Sequence, residues 1–280
     1  MSYSKAKYKN VILFLLITLL FLTIQMVSYR MKLNNNGSEL IDTDTYMRLV
    51  RVEQLAQTGN WYDNVIHRSN YPYGETLHWT RPLDVVLLAG AYLLTPFQGF
   101  EQALLTWGII ISPILGVLWL FALFWATRSV MNNRSRLILW LLFISQSVLL
   151  QVFFFGRPDH HSLLLLLFII LLGCLFRMDD NFSPKYMILG GFVSALAMWV
   201  SVESIFAIIM VFMTLGVCWI IRGDKYANIL SKYSLSLFFF SAIFVLVERP
   251  LVSILLVEYD KISIAHLFVF MLAATASHIL

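Results

Sequence analysis

The chain has 280 residues, of which 59% are hydrophobic and 13% charged, against about a quarter charged in an ordinary soluble domain. With a mean hydropathy of +0.77, this composition cannot be wrapped in a polar surface, which excludes a soluble globular fold and implies an integral membrane protein. The net charge is +4 and the basic residues are scattered, so no face is offered to nucleic acid; the positive charge sets topology and meets anionic lipid headgroups.

A helix needs about 20 apolar residues to cross the hydrocarbon core. The apolar runs predict spans near 10–29, 102–127, 137–155, 162–177, 186–202, 204–221, 233–248 and 263–280. These runs are too long for barrel strands. The expected fold is all-α, a polytopic transmembrane bundle of about eight spans. Lys5, Lys7 and Lys9 precede the first run as in a signal peptide, but no small-x-small pattern follows it, so the first helix is read as uncleaved.

After it comes a long first outer loop, 30–101. Tyr46–Gln57 mixes Met47, Leu49, Val50, Val52, Leu55 and Ala56 with Arg48, Arg51, Glu53, Gln54 and Gln57, which predicts a loosely amphipathic helix lying on the membrane surface. Gly59 ends it. Trp61-Tyr62, the turn-rich Asn70-Tyr71-Pro72-Tyr73-Gly74 and His78-Trp79-Thr80-Arg81-Pro82 follow, with aromatics suited to the headgroup level. Leu83–Phe97 is apolar but short. Counting it as a span would put the later basic connections outside, so it is read as an interfacial or re-entrant helix.

Charge divides the remaining connections. Arg128, Arg134 and Arg136, then Arg177 and Lys185, then Arg222, Lys225 and Lys232 read as cytoplasmic together with the N-terminus. Gly156–His161, Ser201–Glu203 and Glu248–Ile262 then face outward with the first loop. Cys174 and Cys218 lie in apolar runs and read as small buried hydrophobes. The chain is expected to form one transmembrane domain, 1–280, with no soluble domain.

Four polar clusters on the outer side could carry chemistry. Asp42-Thr43-Asp44 places two carboxylates on one face of an extended segment, where they could share a hard divalent cation such as Mg²⁺ or Mn²⁺. The competing reading is a cap: Asp44 or Thr43 starting a helix near Thr45, with Asp42 left unexplained. Arg157-Pro158-Asp159-His160-His161 interrupts a nearly uncharged stretch, either as a site facing a cavity or as a solvated turn in which Pro158 starts the next helix. Adjacent histidines do not face the same way on a helix, which argues against a zinc site built from that pair. Glu203 sits in a turn too short to lift it far from the helices. Glu248-Arg249-Pro250 and Glu258-Tyr259-Asp260 complete the set, with Glu248 and Arg249 able to pair with each other or with headgroups. Asp42, Asp44, Asp159, Glu203, Glu248, Glu258 and Asp260 thus share a side with Arg81, Arg157 and Arg249. Carboxylates hold metal and arginines grip phosphate, so a phosphate or pyrophosphate on a lipid carrier is indicated.

At these residues the chain resembles the GT-C superfamily of polyprenyl-phosphate-dependent glycosyltransferases, and within it the catalytic subunits of oligosaccharyltransferase. D-x-D in the first outer loop is Asp42-Thr43-Asp44, and the Asp-His-His of the next outer loop is Asp159-His160-His161. The resemblance covers the N-terminal membrane half of that family. It implies Asp42 and Asp159 as metal or acceptor residues, with His161 supporting a divalent metal and Asp44 a further catalytic candidate; Arg81, Arg157 and Arg249, from their shared side, are the candidate contacts for the lipid phosphate. His160, Glu203, Glu248 and Asp260 are further candidates. The implied donor is a polyprenyl-linked sugar, used on the periplasmic face of a bacterial inner membrane. The family's later spans and its W-W-D-Y-G signature have no counterpart here, and the apolar run ends at Leu280. The expectation is therefore the N-terminal part of a longer protein, inactive alone or completed by a second polypeptide. Two other readings stand beside it: an inactive or structural membrane remnant, and a transporter. Transport would place ionisable groups at mid-membrane, where the drawn spans have almost none.

Overall fold

The computed structural model describes the backbone of residues 2–178 and 183–279, and side chains from residue 11 onward apart from position 36. Lys5, Lys7 and Lys9, read above as topology signals, lie outside the described side chains, as does Leu280. Among the described residues there are eleven α-helices and one pair of two-residue strands. Helix α1 is Ser2–Asn36, α2 Thr43–Thr58, α3 Arg81–Gln98, α4 Phe100–Thr127, α5 Asn133–Ser145, α6 Ser147–Val152, α7 His160–Met178, α8 Pro184–Val200, α9 Ile205–Arg222, α10 Asp224–Glu248 and α11 Ile264–Ile279. The strands β1 (Val65–Ile66) and β2 (Glu75–Thr76) pair antiparallel.

The protein is a multi-pass membrane protein. Helices α4, α7, α9 and α10, with Val11–Asn35 of α1, are long and apolar enough to cross a bilayer, and α8 and α11 are shorter apolar helices. The expected span at 137–155 is not one helix. It breaks into α5 and α6 at Gln146, whose backbone is extended (φ −87°, ψ 100°), in the polar triplet Ser145-Gln146-Ser147. The first helix also continues to Asn36, so the outer segment starts at 37, not 30.

Side-chain contacts fix helix directions. Phe14 packs on Phe121 and Phe124, and Phe21 lies against Gly116, so α1 and α4 are antiparallel. Ser112 meets Ser162, and Arg177 donates to Ala126 O, so α4 and α7 run the same way. Helices α8 and α10 also run together: Ser194 bonds Tyr233 at 2.8 Å and Trp199 stacks on Phe244 at 4.6 Å. Gly191 allows their close approach, because a Cβ there would fall 2.6 Å from Tyr233 O, the small-residue packing expected where no hydrophobic gradient drives helices together. Consequently the starts of α2, α3, α7, α9 and α11 and the ends of α8 and α10 gather at one end of the bundle. The basic connections gather at the other.

Helix α3 turns back on α4 through Gly99, with Trp107 Nε1 donating to Val86 O at 3.1 Å. Because Ser112 of α4 is level with the first turn of α7, the preceding turns of α4 and the α3 packed on them extend past the start of α7. Two apolar cores result. One joins α1–α5 with α7; the other joins α7–α11.

Candidate functional site

The segment between α1 and α4 is organised around a buried carboxylate. Asp84, in the first turn of α3, is fully buried and faces three arginines: Arg51 Nε at 2.7 Å, Arg81 Nη1 at 3.1 Å and Arg48 Nη1 at 3.3 Å. The sequence reading put Arg48 and Arg51 on the polar face of a surface helix. The structure reverses this: both are buried, Arg48 at 3% and Arg51 at 2% exposure. Charge pairing with Asp84, 33 residues downstream of Arg51, makes this face of α2 the inward one. Arg51 Nη2 also reaches Asn64, and Arg81 bonds the carbonyls of Trp61 and Asp63. The cluster thereby ties α2, α3 and the intervening loop into one body.

Asp42 immediately precedes α2 and caps it. Its Oδ1 accepts from Thr45 N at 2.9 Å, and the Thr45 hydroxyl answers the backbone of Asp42 in a capping box. The cap is therefore neither Asp44 nor Thr43, and Asp42 is not the unexplained residue. With Oδ1 engaged, Oδ2 remains for another partner. Asp44 is exposed in the first helical turn, where the helix dipole favours negative charge.

One backbone bond holds this segment against the second motif. Ile41 N donates to Gly156 O at 3.0 Å, while Gly156 N donates to Ile109 O at 2.8 Å. Gly156 has φ +74°, and a Cβ there would lie 2.3 Å from Glu39 O. Only glycine allows the approach. Ser112 of α4 also donates to Arg157 O.

Asp159 ends this loop just ahead of α7. Its Oδ2 is 2.8 Å from His161 Nδ1 and its Oδ1 is 2.8 Å from His160 Nδ1. The adjacent histidines thus converge, contrary to the sequence expectation, because they occupy the first turn of α7 and the carboxylate of the preceding residue reaches between them. The rings lie 4.2 Å apart. His160 Nδ1 is close to Asp159 but out of line for a hydrogen bond, and it is buried without another partner. Burial alone raises the Asp159 pKa, but the two histidines outweigh it and hold the carboxyl far below the usual carboxylate range. Arg157 Nη2 stands 3.6 Å from Asp159, and Glu203, largely exposed on its 3₁₀ turn, reaches His161 Nε2 at 3.5 Å.

Asp42, Asp44, Arg48, Trp79, Arg157, Asp159, His160 and His161 line one cleft. The ligand atoms of Asp159, His160 and His161 lie within 4.8 Å of one another. Ligands at roughly 2.1 Å in an octahedral shell are about 3 Å apart, so the spacing and the orphaned His160 nitrogen suit a divalent cation. The cleft continues past Arg48, Trp79 and His160 into a second lobe holding His78, Glu203, Asp260 and Lys261.

The other candidates lie apart. Arg81 and Arg249 line neither lobe. Each of the three Arg81 nitrogens has a protein acceptor. Arg249 bonds Glu258 at 2.8 Å and Ile262 O at 2.9 Å, and does not pair with Glu248. Glu248 is buried and accepts from Trp199 Nε1 at 2.7 Å and Arg81 N at 3.2 Å. Sequence reasoning missed Arg48, Asp84 and Lys261. Asp84 inside an apolar run was the available signal, since a charge there requires a partner.

No protein-family model matches the chain. No curated protein matches it in sequence. Among solved structures, the oligosaccharyltransferase of Archaeoglobus fulgidus in its apo form superposes with a TM-score of 0.74 at 15% identity, covering 98% of this chain and 33% of that one. The oligosaccharyltransferase AglB of the same organism, in complex with an inhibitory peptide and a dolichol-phosphate, gives 0.72 at 16% identity, over 98% and 33%. The complex of the A. fulgidus enzyme with Zn and sulfate gives 0.72 at 16% identity, over 95% and 35%. The chain spans about a third of the length of these structures and shares their fold over nearly all of its own.

Proposed function

We propose that this chain forms the membrane-embedded part of a glycosyltransferase that takes a sugar or glycan from a polyprenyl-linked donor on the non-cytoplasmic face of a bacterial inner membrane. The observation that carries the reading is the convergence of Asp42-Thr43-Asp44 and Asp159-His160-His161 on one cleft. Three matters support it: the fold shared with oligosaccharyltransferase, that enzyme's complexes with dolichol-phosphate and with Zn and sulfate, and the basic residues at the opposite end of the bundle.

In this reading Asp42, Asp159 and His161 hold a divalent metal, Mg²⁺ or Mn²⁺, with His160 beside them. The metal supplies charge neutralisation to the phosphate leaving group. Arg157, half-buried at the cleft edge, grips the phosphate. Asp44, exposed in the same cleft, orients the acceptor and takes its proton. The acceptor's electron pair forms the new bond to the anomeric carbon, and the carbon–oxygen bond to phosphate breaks with its electrons leaving on the lipid. Arg81 and Arg249 hold the scaffold.

The test is Mn²⁺ binding to the purified chain, read by electron paramagnetic resonance, beside sugar transfer in membranes of cells producing the protein. Asp42→Asn and Asp159→Asn are each expected to weaken metal at least about tenfold, in line with loss of one charged ligand, and to abolish transfer. Unchanged metal affinity in the double variant overturns the reading.

A further inference from the structure

At the end of the bundle opposite the cleft, one arginine is buried with most of its donors unanswered. Arg136 lies in the first turn of α5 and is 7% exposed. Its guanidinium packs 4.9 Å from the Phe124 ring of α4. Nη2 donates to the side chain of Asn133, which is exposed, while Nε and Nη1 are buried without a partner. Trp140 follows one turn later on the same face of α5. It packs on the same Phe124, with ring centroids 5.7 Å apart, and its Nε1 is also buried without an acceptor. Buried donors cost free energy unless they are bonded, and an unpaired charge costs most.

The protein offers no carboxylate here. Among the described residues Arg136 forms no ion pair. Helix α1 carries no Asp or Glu, and the chain has none between Glu101 and Asp159. Glu101 starts α4, at the other end of that helix from Phe124, and Asp159 belongs to the cleft. The charged neighbour of Arg136 is Arg128, exposed at the end of α4 and of the same sign; burial first, and then Arg128, lower the Arg136 pKa. Arg177 gives the contrast at a similar depth. It stacks 4.1 Å over Trp125 and donates to the carbonyls of Trp125, Ala126 and Gly173. A ring face attracts the charge of a guanidinium but does not replace such acceptors. The start of α5 adds the positive end of a helix dipole.

We propose that Arg136, with Arg128 and the first turn of α5, binds the phosphate of an anionic phospholipid headgroup. The guanidinium fork matches two phosphate oxygens, and the charged acceptor replaces the neutral amide of Asn133. Phe124 lies one turn before the end of α4, where the basic connections gather and the lipid phosphates of that leaflet meet them. Trp140 is about 6 Å further along α5, at the depth of the glycerol esters, whose carbonyl oxygens are the acceptors it lacks. This site stands apart from the cleft and does not depend on what the cleft does.

The experiment follows thermal unfolding of the full chain in an uncharged detergent with added phosphatidylglycerol, phosphatidylcholine or inorganic phosphate. Saturating phosphatidylglycerol should raise the unfolding temperature by roughly 5 °C or more, as for a ligand near a hundred times its dissociation constant. Phosphatidylcholine should give less than about half of that rise, because its ammonium group meets the arginines. Arg136→Gln should cancel the extra effect of phosphatidylglycerol. In phosphatidylcholine it should be at least as stable as the unmodified protein, since a stranded charge is removed. Lys232→Gln removes an exposed charge from the same end of the bundle and should leave the phosphatidylglycerol effect in place. A rise with inorganic phosphate equal to that with phosphatidylglycerol would show that the anion alone is recognised; a rise with the lipid only would show that the headgroup is read on its lipid. Both results support the site. An equal phosphatidylglycerol effect in Arg136→Gln overturns it, as does an equal effect of the two lipids on the unmodified protein. An effect lost as fully in Lys232→Gln overturns it by reducing it to net charge. Arg136→Gln less stable than the unmodified protein in phosphatidylcholine overturns it too, because the guanidinium would then have its acceptors within the protein.

Discussion

Replacing Asp84 by asparagine should be the most damaging single-atom change in the segment between α1 and α4. The carboxylate is fully buried and bonded to Arg48, Arg51 and Arg81. The amide keeps the shape but removes the negative charge, and it turns an acceptor toward three donors into a group that is itself half donor. Breaking one buried ion pair costs about 3–5 kcal/mol, because the surviving charge stays desolvated. Here three arginines lose their shared anion, with Glu248 the nearest remaining compensation: it accepts from Arg81 N. A loss of about 3–5 kcal/mol corresponds to an unfolding temperature lower by roughly 6–20 °C for a chain of this order of size. Thermal unfolding of the detergent-solubilised protein, read by tryptophan fluorescence, measures it. A companion variant checks the cause. Asp84→Asn combined with Arg51→Met removes one of the stranded charges and should recover part of the loss. Asp84→Asn within about 0.5 kcal/mol of wild type, the range of ordinary surface changes, would refute the account of this cluster.

Three further outcomes are expected. Asp42→Ala should cost about 1 kcal/mol as a lost helix cap, whereas Asp42→Asn should keep the cap and cost only a few tenths, so thermal unfolding separates the capping role from metal binding. Gly156→Ala should destabilise by about 1–3 kcal/mol through overpacking against Glu39 O, and it should weaken Mn²⁺ binding because the backbone bond to Ile41 is displaced; unaltered metal affinity would show that the bond does not position the site. The depressed pKa of Asp159 contributes stability that is present above the unfolded carboxylate value of about 3.9 and is lost as pH falls through the lower folded value. The difference in unfolding temperature between wild type and Asp159→Asn, measured with a chelator present, should therefore shrink as pH drops below about 4; a difference that grows there would contradict the assignment.

Much of the architecture was legible because membrane physics is one-dimensional. Run length separates spanning from non-spanning segments, and basic residues separate the two ends, so the gathering of Asp42, Asp159 and Glu203 at one end could be read before any packing was known. The pairing of α2 with α3 could not. Amphipathic reading assumes that charges turn toward water, and Arg48 and Arg51 violate it because Asp84 makes the interior the better solvent for them. The convergence of His160 and His161 escaped for a related reason: helix periodicity separates neighbours, but both residues sit in a first turn where the carboxylate ahead of the helix can reach them. The break at Gln146 was hidden in a span whose hydropathy is high on either side. Lys261 offered no periodic signal at all, since its environment is made by a loop whose shape depends on Arg249.

The backbone bond between Ile41 and Gly156 bears on how such a site is inherited. Side chains take no part in it, and the single requirement it places on the gene is the absence of a methyl group at position 156. Mutations can accumulate through the flanking segments without altering the angle at which the two motifs meet. The angle between the two motifs is therefore held by the path of the main chain and is indifferent to the identities of the side chains around it.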